Sequence, residues 1–173
     1  MSTGAQQARF EEALLPHLDA AYNLARWLTG NAHDAEDMVQ EAFLRALEHF
    51  DGFHGESARG WILAIVRNTC FTWLSRRGRS DPAAEFDEEL HSVETANPES
   101  LMIREADSRQ LAAAMERLSE EYREAIVLRE MEGMSYKEIA DITGVPIGTV
   151  MSRLARARVQ LQRSLLESAG KER

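Results

Sequence analysis

Three arginines near the C-terminal end of the sequence have side chains that could bind DNA. Arg153, Arg156 and Arg158 lie in the stretch 135–161, SYKEIADITGVPIGTVMSRLARARVQL. A guanidinium group can donate two hydrogen bonds to O6 and N7 of guanine in the major groove. The small neighbours Ser152 and Ala155 would let a helix approach the base edges closely. The spacing therefore predicts a DNA-reading helix, although arginines alone would also suit a solvated basic face.

The surrounding residues predict two helices and a tight turn that position these arginines. Ser135 and Glu138 have the spacing of a capping box at the start of the first helix. Gly144 suits the left-handed residue that ends a helix, and Pro146 suits the first turn of the next one. At about 100° per residue, the second helix would turn one narrow stripe towards the core, namely Val150, Leu154, Ala157 and Leu161.

The composition is that of an ordinary globular chain. Its 173 residues, 44% of them hydrophobic, suffice for one large domain or two small ones. No apolar run approaches the ~20 residues needed to span a bilayer, and the N-terminus lacks the regions of a signal peptide, so we expect a cytoplasmic protein without membrane insertion. The single cysteine, Cys70, excludes an internal disulfide and suits a core position.

The formal net charge of −9 is unusual for a protein that contacts DNA. Positive charge is concentrated in the C-terminal arginine helix and in the cluster of Arg76, Arg77 and Arg79. Because nonspecific affinity scales with the number of phosphates neutralised, the chain should bind free DNA weakly. A larger partner would bring it to DNA and raise its effective concentration there.

The first half of the sequence predicts three packed helices. The first has its apolar stripe at Leu14, Leu18, Ala21, Ala25 and Leu28, widened by Leu15 and Tyr22, and ends at Gly30. The second begins at 31–34, runs to Phe50, and buries Ala35, Val39, Phe43, Ala46 and Phe50. Its outer arc carries Asp34, Asp37, Gln40, Glu41, Leu44 and Glu48. These acids could serve only the helix dipole and solubility, but the leucine among them favours a docking surface.

The loop 51–57 and the third helix, 58–77, could bind unpaired DNA. Phe53 and His54 could frame a pocket for an unstacked base, or the loop could be a simple connector. The helix would bury Ile62, Ile65, Val66, Thr69 and Trp73. Off that stripe lie Trp61, Arg67, Asn68 and Phe71, next to the basic end at Arg76, Arg77 and Arg79. Aromatic rings that stack on bases and guanidinium groups that hold phosphates suit single-stranded DNA, although each ring could equally belong to the core.

Two domains are predicted, covering 8–80 and 99–168, with a linker over 81–98. The linker is acidic, lacks periodicity and contains Pro82. The second domain would begin with a helix carrying Leu101, Leu111, Met115 and Leu118. A further helix would run from Ser119 to Gly133 before the terminal hairpin. The expected fold class is all-α, two small helical domains joined by an acidic linker.

Catalytic constellations are not evident. The five histidines are scattered without the spacing of a helical metal site, and no nucleophile, base and orienting group can be assembled. A carboxylate metal site at Asp34, Glu36, Asp37 and Glu41 is a remote alternative. We therefore expect no enzyme activity, no metal and no cofactor.

Taken together, these segments resemble the bacterial sigma-70 family of RNA polymerase initiation factors, specifically the small extracytoplasmic-function (ECF) group. The similarity covers 10–79 and 104–166. Its most specific parts are DAEDMVQEAFLRAL at 34–47, GWILAIVRNTCFTWLSRR at 60–77 and SYKEIADITGVPIGTVMSRLARAR at 135–158. Three such segments in this order are unlike chance.

The resemblance implies a role for each surface. Core polymerase docking, on the beta-prime clamp helices, would use Asp34, Asp37, Gln40, Glu41 and Leu44. The minus-10 element would contact Phe53, His54, Gly55, Glu56, Ser57, Trp61, Arg67, Asn68, Phe71, Arg76 and Arg77. The minus-35 element would contact Thr149, Met151, Ser152, Arg153, Ala155, Arg156 and Arg158. The C-terminal domain would also bind the beta flap, and an anti-sigma factor is an expected partner.

Two departures from the family pattern prevent transfer of a minus-35 sequence. Many relatives carry a basic residue where Met151 stands, and some carry a larger one at Ala155. The resulting expectation is a factor that selects and melts promoters by binding energy, while the polymerase supplies catalysis. The alternatives are a sigma mimic that only sequesters an anti-sigma protein and a helix-turn-helix repressor that acts without polymerase.

Overall fold

The computed structural model describes residues 3–55, 57–77 and 98–171 and, within the last range, the side chains of 107–170. Every regular element in these ranges is helical, which confirms the predicted all-helical class. The α-helices are α1 (Thr3–Leu14), α2 (Leu18–Thr29), α3 (Ala32–Glu48), α4 (Ala58–Arg77), α5 (Pro98–Glu116), α6 (Glu120–Ile126), α7 (Tyr136–Thr143) and α8 (Ile147–Lys171). Short 3-10 helices span Leu15–His17 and Phe50–Gly52, and a π-helix spans Val127–Met131.

The first unit is built on α2, α3 and α4, which pack against one another. The single helix predicted over 14–28 was wrong, because the 3-10 turn at Leu15–His17 separates α1 from α2. Pro16 lies in the first turn of that 3-10 helix, where its missing N–H costs nothing. Leu15 and Leu18, predicted to be buried, are exposed as a result of the break. Gly30 ends α2 with a φ of 86°, as predicted.

Helix α3 begins at the predicted place because Asn31 caps it. The Asn31 side chain accepts a hydrogen bond from the backbone N–H of Asp34 at 2.8 Å. Of the predicted stripe, Ala35, Val39 and Ala46 are buried, as is Phe50 just beyond the helix, whereas Phe43 is half-buried. Met38 and Ala42, omitted from the prediction, are also buried.

Helix α4 has the predicted bounds, but its buried surface is wider than expected. Leu63 and Cys70 are fully buried beside the predicted stripe, whereas Ile65 and Trp73 are only half-buried. Burial raises the pKa of the Cys70 thiol to about 12, helped by the negative charges of Glu124 and Glu41. Cys70 is therefore a core residue, as its solitary occurrence predicted.

The second unit comprises α5 to α8, with α8 packing against α5, α6 and α7. The predicted capping box is present: Glu138 N–H donates to the Ser135 hydroxyl and Ser135 N–H donates to the Glu138 carboxylate, both at 3.1 Å. Gly144 ends α7 with a φ of 74°, and Gly133 ends the preceding segment at 66°. The two helices and the turn that hold the arginines are thus confirmed.

The two units are in direct contact, with α2 against α6 and α4 against α7. Most of the predicted linker, 81–97, lies outside the described residues, as does Glu56. None of the described helices is long and apolar enough to cross a membrane. Within the described ranges no cluster of His, Cys, Asp and Glu could hold a metal ion, including the acids of α3.

Candidate nucleic-acid interface

Helix α8 presents the predicted base-reading arc to solvent. Ser152, Ala155 and Arg156 are exposed, and the Ser152 hydroxyl donates to the Gly148 carbonyl at 3.0 Å. Arg156 makes no hydrogen bond or ion pair within the part of the chain that the structure describes, so its guanidinium is available to a ligand. The opposite stripe of Val150, Leu154 and Ala157 is buried, which fixes the direction of this arc.

The flanks of this arc are less uniform. Met151 is exposed, Thr149 is half-buried, and Arg158 is exposed but pairs with Glu130 at 2.7 Å. Hydrogen bonding to Glu130 raises the pKa of Arg158. Arg153 is half-buried, and its charge lowers the pKa of Glu124 in the interior. Arg153 therefore turns partly away from solvent.

The arc predicted for docking on α3 is a leucine ringed by partly paired carboxylates. Leu44 is 57% exposed. Arg45 pairs with Glu41 at 2.6 Å, and Arg77 from α4 pairs with Asp34 at 3.3 Å. Asp37 and Gln40 are exposed. An exposed apolar centre with a polar rim is the composition of a protein interface.

The loop predicted to capture a base is organised by stacked aromatic rings. The Phe53 ring lies 5.9 Å from that of Phe50 and 4.9 Å from that of Trp61, measured between centroids. A Cβ on Gly55 would lie 2.4 Å from the Phe53 ring, so this glycine provides space and has no left-handed φ. His54 is exposed. The Phe53 ring thus packs inwards and is half-buried.

The N-terminal end of α4 is fixed by Ser57. Its hydroxyl accepts a hydrogen bond from the Gly60 N–H at 3.1 Å, and its carbonyl accepts from the Trp61 N–H at 3.1 Å. A serine in this position satisfies backbone donors that the helix itself leaves unpaired. Ser57 therefore already has a capping role, although its side chain stays exposed.

Two arginines of α4 cover aromatic rings. The guanidinium carbon of Arg67 lies 4.0 Å from the centroid of the Phe71 ring, and that of Arg77 lies 4.6 Å from the Trp73 ring. Asn68 and Arg76 are exposed. The basic and aromatic side chains predicted for the minus-10 element are therefore brought together along α4, where they contact one another.

Arg67 also pairs with Glu124 of the second unit. Its Nε donates to Oε2 of Glu124 at 2.7 Å. The Glu124 side chain is fully buried, and its Oε1 has no hydrogen-bond partner among the described residues. Burial raises the pKa of Glu124 to about 7, although Arg67 and Arg153 lower it and Glu121 raises it further.

Arg123 links the two units through backbone carbonyls. Its guanidinium donates to the carbonyls of Met115, Glu116 and Leu118 at 2.8–2.9 Å and to that of Trp27 at 3.0 Å. The first two lie in the last turn of α5 and Trp27 in the last turn of α2, where carbonyls lack helical donors. Burial lowers the pKa of Arg123, whereas Glu120 and Glu116 raise it.

Glu132 forms the third connection between the units. Its carboxylate accepts from Arg59 of α4 at 3.1 Å and from Asn23 of α2 at 3.0 Å. Arg59 also donates to the Glu132 carbonyl. The Glu132 side chain is 14% exposed and that of Arg59 is 33% exposed. This ion pair is partly shielded from water.

Comparisons with known proteins match both units. The family model for sigma-70 region 2 matches residues 14–80, and that for sigma-70 region 4 matches residues 108–161. The ECF RNA polymerase sigma-E factor of Escherichia coli is 42% identical over 134 residues, which are 72% of this chain and 70% of that protein. The chain belongs to the sigma-70 family.

Other members of the sigma-70 family are similarly related. ECF RNA polymerase sigma factor SigE of Mycolicibacterium smegmatis is 38% identical over 164 residues, which are 93% of this chain but 64% of that protein. The chain thus spans slightly less than two thirds of that relative. Sigma factor RpoE of Bartonella quintana, solved in complex with the anti-sigma factor NepR, superposes with a TM-score of 0.76 at 32% identity over 91% of this chain and 96% of that one.

The sigma-70 matches coincide with the two packed units. Region 2 contains α2, α3 and α4, and region 4 extends from within α5 into α8. The connections between units were missed by sequence reasoning and involve Arg59, Arg67, Arg123, Glu124 and Glu132. The available signal was weak: Arg123 and Glu124 are charged, so periodicity assigned them to no buried stripe.

Proposed function

We propose that this sigma-70 family chain binds core RNA polymerase, recognises minus-35 and minus-10 promoter elements and promotes DNA melting for transcription initiation. The observation that carries the proposal is the solvent arc of α8, where Arg156 stands without a partner among the described residues, beside the small side chains of Ser152 and Ala155. Such an arc fits a major groove. Thr149, Met151, Arg153 and Arg158 would flank it on the minus-35 element.

Docking on the polymerase would use the acidic arc of α3. Leu44 would insert between residues of the beta-prime clamp helices, while Asp34, Asp37, Gln40 and Glu41 would form the polar rim. The second unit would contact the beta flap. Because the net charge is −9, the polymerase has to supply most of the affinity for duplex DNA.

Melting would use the loop before α4 and α4 itself. A flipped base would be held near Phe53 and His54, while Asn68, Arg76 and Arg77 would contact the displaced strand. Since the loop would bind the base only when the duplex is open, its binding energy would shift the equilibrium towards the open state. Catalysis would belong to the polymerase, so the chain itself would be no enzyme and would act in the cytoplasm without a cofactor.

An anti-sigma factor is a further proposed partner. The similar Bartonella quintana protein was solved in complex with the anti-sigma factor NepR. We propose that this chain, too, is held inactive by such a protein, which would occupy surfaces otherwise used by polymerase or DNA.

Transcription with added core polymerase tests the proposal. RNA made on fragmented genomic DNA is sequenced at its 5′ ends, with the wild type, Arg156→Ala and the control Arg9→Ala, which removes an exposed charge from α1. The wild type and the control should give the same discrete start sites. Arg156→Ala should reduce them about tenfold or more, because a base contact is worth about 1–3 kcal/mol. Equal initiation by Arg156→Ala would contradict the base-contact role.

Two further results would contradict the whole proposal. The first is that the wild type yields no start sites above those of core polymerase alone. The second is that the purified chain, without polymerase, binds a specific duplex in gel shifts, as a repressor would.

A further inference from the structure

Two cation–carboxylate pairs across the unit boundary engage α4, the helix that the proposed function assigns to the minus-10 element. Arg67 pairs with Glu124, and Arg59 pairs with Glu132. Both acids belong to region 4, whereas both arginines belong to region 2. The arrangement of the two units seen here therefore places region 4 carboxylates on the helix that would bind DNA.

These contacts block Arg67 in two ways. Its charge is balanced by a buried carboxylate, and its side chain is only 17% exposed, so it offers little attraction to a phosphate. Its guanidinium also lies over the face of the Phe71 ring, which a base would need for stacking. A phosphate and a base would both be excluded from this part of α4.

We propose that the free chain is autoinhibited: region 4 closes on region 2 and sequesters the DNA-binding face of α4, and the two regions must separate before a promoter can bind there. This proposal rests on the proposed function for the identity of the ligand. It adds a conformational step, in which the affinity for DNA is reduced by the fraction of molecules that are open.

The Arg59–Glu132 pair provides the cleanest test, because neither residue is assigned to DNA or polymerase. Arg59→Glu and Glu132→Arg each place like charges together, whereas the double variant restores an opposite-charge pair in reversed order. The two single variants change the net charge in opposite directions. The control Glu167→Arg reverses a carboxylate of the exposed Arg117–Glu167 pair, which lies within the second unit.

The separation of the units can be measured with spin labels. Glu36→Cys on α3 and Gln162→Cys on α8 introduce thiols at exposed positions. The native Cys70 is buried, with its pKa raised to about 12, so it should not react. Electron–electron resonance then gives the distance between the labels in the absence of DNA and polymerase.

Affinity is measured by fluorescence anisotropy with a labelled pool of single-stranded DNA of random sequence. Both single variants should lengthen the label distance and bind the pool about tenfold more tightly, and the double variant should return both values towards those of the wild type. The control should keep the wild-type distance. A simple charge effect would instead strengthen binding by Glu132→Arg and weaken binding by Arg59→Glu.

The outcomes separate this proposal from the proposed function. An unchanged label distance in both single variants, or a longer distance without tighter binding, would overturn autoinhibition. A double variant as open as the single ones, with helicity retained by circular dichroism, would also overturn it. Failure of every variant, including the wild type, to initiate with core polymerase would count instead against the proposed function.

Discussion

Glu124 accepts a hydrogen bond from Arg67 at 2.7 Å, and this contact joins a fully buried carboxylate of region 4 to a guanidinium of region 2. A buried ion pair of this kind is weak evidence for stability, because removing both charges from water opposes their attraction. Here burial is the larger effect, since the pKa of Glu124 is raised to about 7 despite its partner. The pair therefore specifies the arrangement of the units more than it stabilises the fold.

The first prediction concerns pH. An acid whose pKa is higher in the folded than in the unfolded state binds its proton more tightly when folded, so stability increases as the pH falls through the folded pKa. From pH 8 to pH 6 the free energy of unfolding should gain about 1 kcal/mol from Glu124. Glu124→Gln, which keeps an acceptor for Arg67 but cannot ionise, should remove that gain. Urea titrations at both pH values measure it, and an identical pH dependence in wild type and variant would contradict the assignment.

The second prediction concerns Arg123, which donates to four carbonyls at the ends of α2 and α5 and in the turn after α5. Arg123→Ala should lower the free energy of unfolding by about 3 kcal/mol or more, because buried carbonyls lose charged donors. Arg123→Lys should recover only part of this, since an ammonium cannot reproduce the planar fork. In the control Arg117→Ala, loss of an exposed pair should cost at most about 1 kcal/mol. A similar loss in the alanine variants of Arg123 and Arg117 would disprove the role assigned to Arg123.

The third prediction separates two glycines of the loop before α4. Gly55→Ala would bring a Cβ to 2.4 Å from the Phe53 ring, so the ring should move and its contact with Trp61 should weaken. Gly52→Ala meets nothing within 4 Å and has no left-handed φ, so it should be tolerated. Tryptophan fluorescence should change in the first variant only. In promoter assays, permanganate reactivity of thymines should show slower opening with Gly55→Ala.

The fourth prediction contrasts two glycines of the helix-turn-helix. Gly144 has a φ of 74°, where a side chain is strained, so Gly144→Ala should cost about 1 kcal/mol. Gly148 lies inside α8 with open space around it, so Gly148→Ala should stabilise the helix by about 0.5–1 kcal/mol. Thermal unfolding should move the melting temperature in opposite directions. Shifts of the same sign would show that backbone conformation does not govern these positions.

The fifth prediction tests docking on the polymerase. Changing Gln40 and Leu44 together to alanine should weaken binding of core polymerase about tenfold, because the exposed centre of the proposed interface is removed. Leu166→Ala is the matched control, since Leu166 is an equally exposed leucine on α8. Fluorescence titration with core polymerase gives both dissociation constants. If the double variant binds as tightly as the control, α3 is not the docking site.

Local signals explain what could be predicted from the sequence. Asn31, Ser135 with Glu138, and Gly144 determine helix ends through contacts within a few residues, and all were predicted correctly. The break between α1 and α2 was missed because the apolar spacing continues across Pro16, although the proline itself was the available signal.

Long-range contacts explain what could not be predicted. Helix α4 buries Leu63 and Cys70 in addition to its predicted stripe, and periodicity alone does not reveal how wide a packed face is. Glu124 is an acid whose burial depends on a partner 57 positions earlier in the chain. No spacing rule joins such residues, so the contact between the two units emerged only from the structure.

The burial of Cys70 restricts the kind of stimulus that can act on this chain directly. A thiol with its pKa raised to about 12 carries almost no thiolate at neutral pH, and the thiolate is the form that oxidants and disulfides attack. It is also the one cysteine in the sequence. Oxidative stress would therefore have to be sensed by a different molecule, and its effect on this chain would be transmitted through binding rather than through sulfur chemistry.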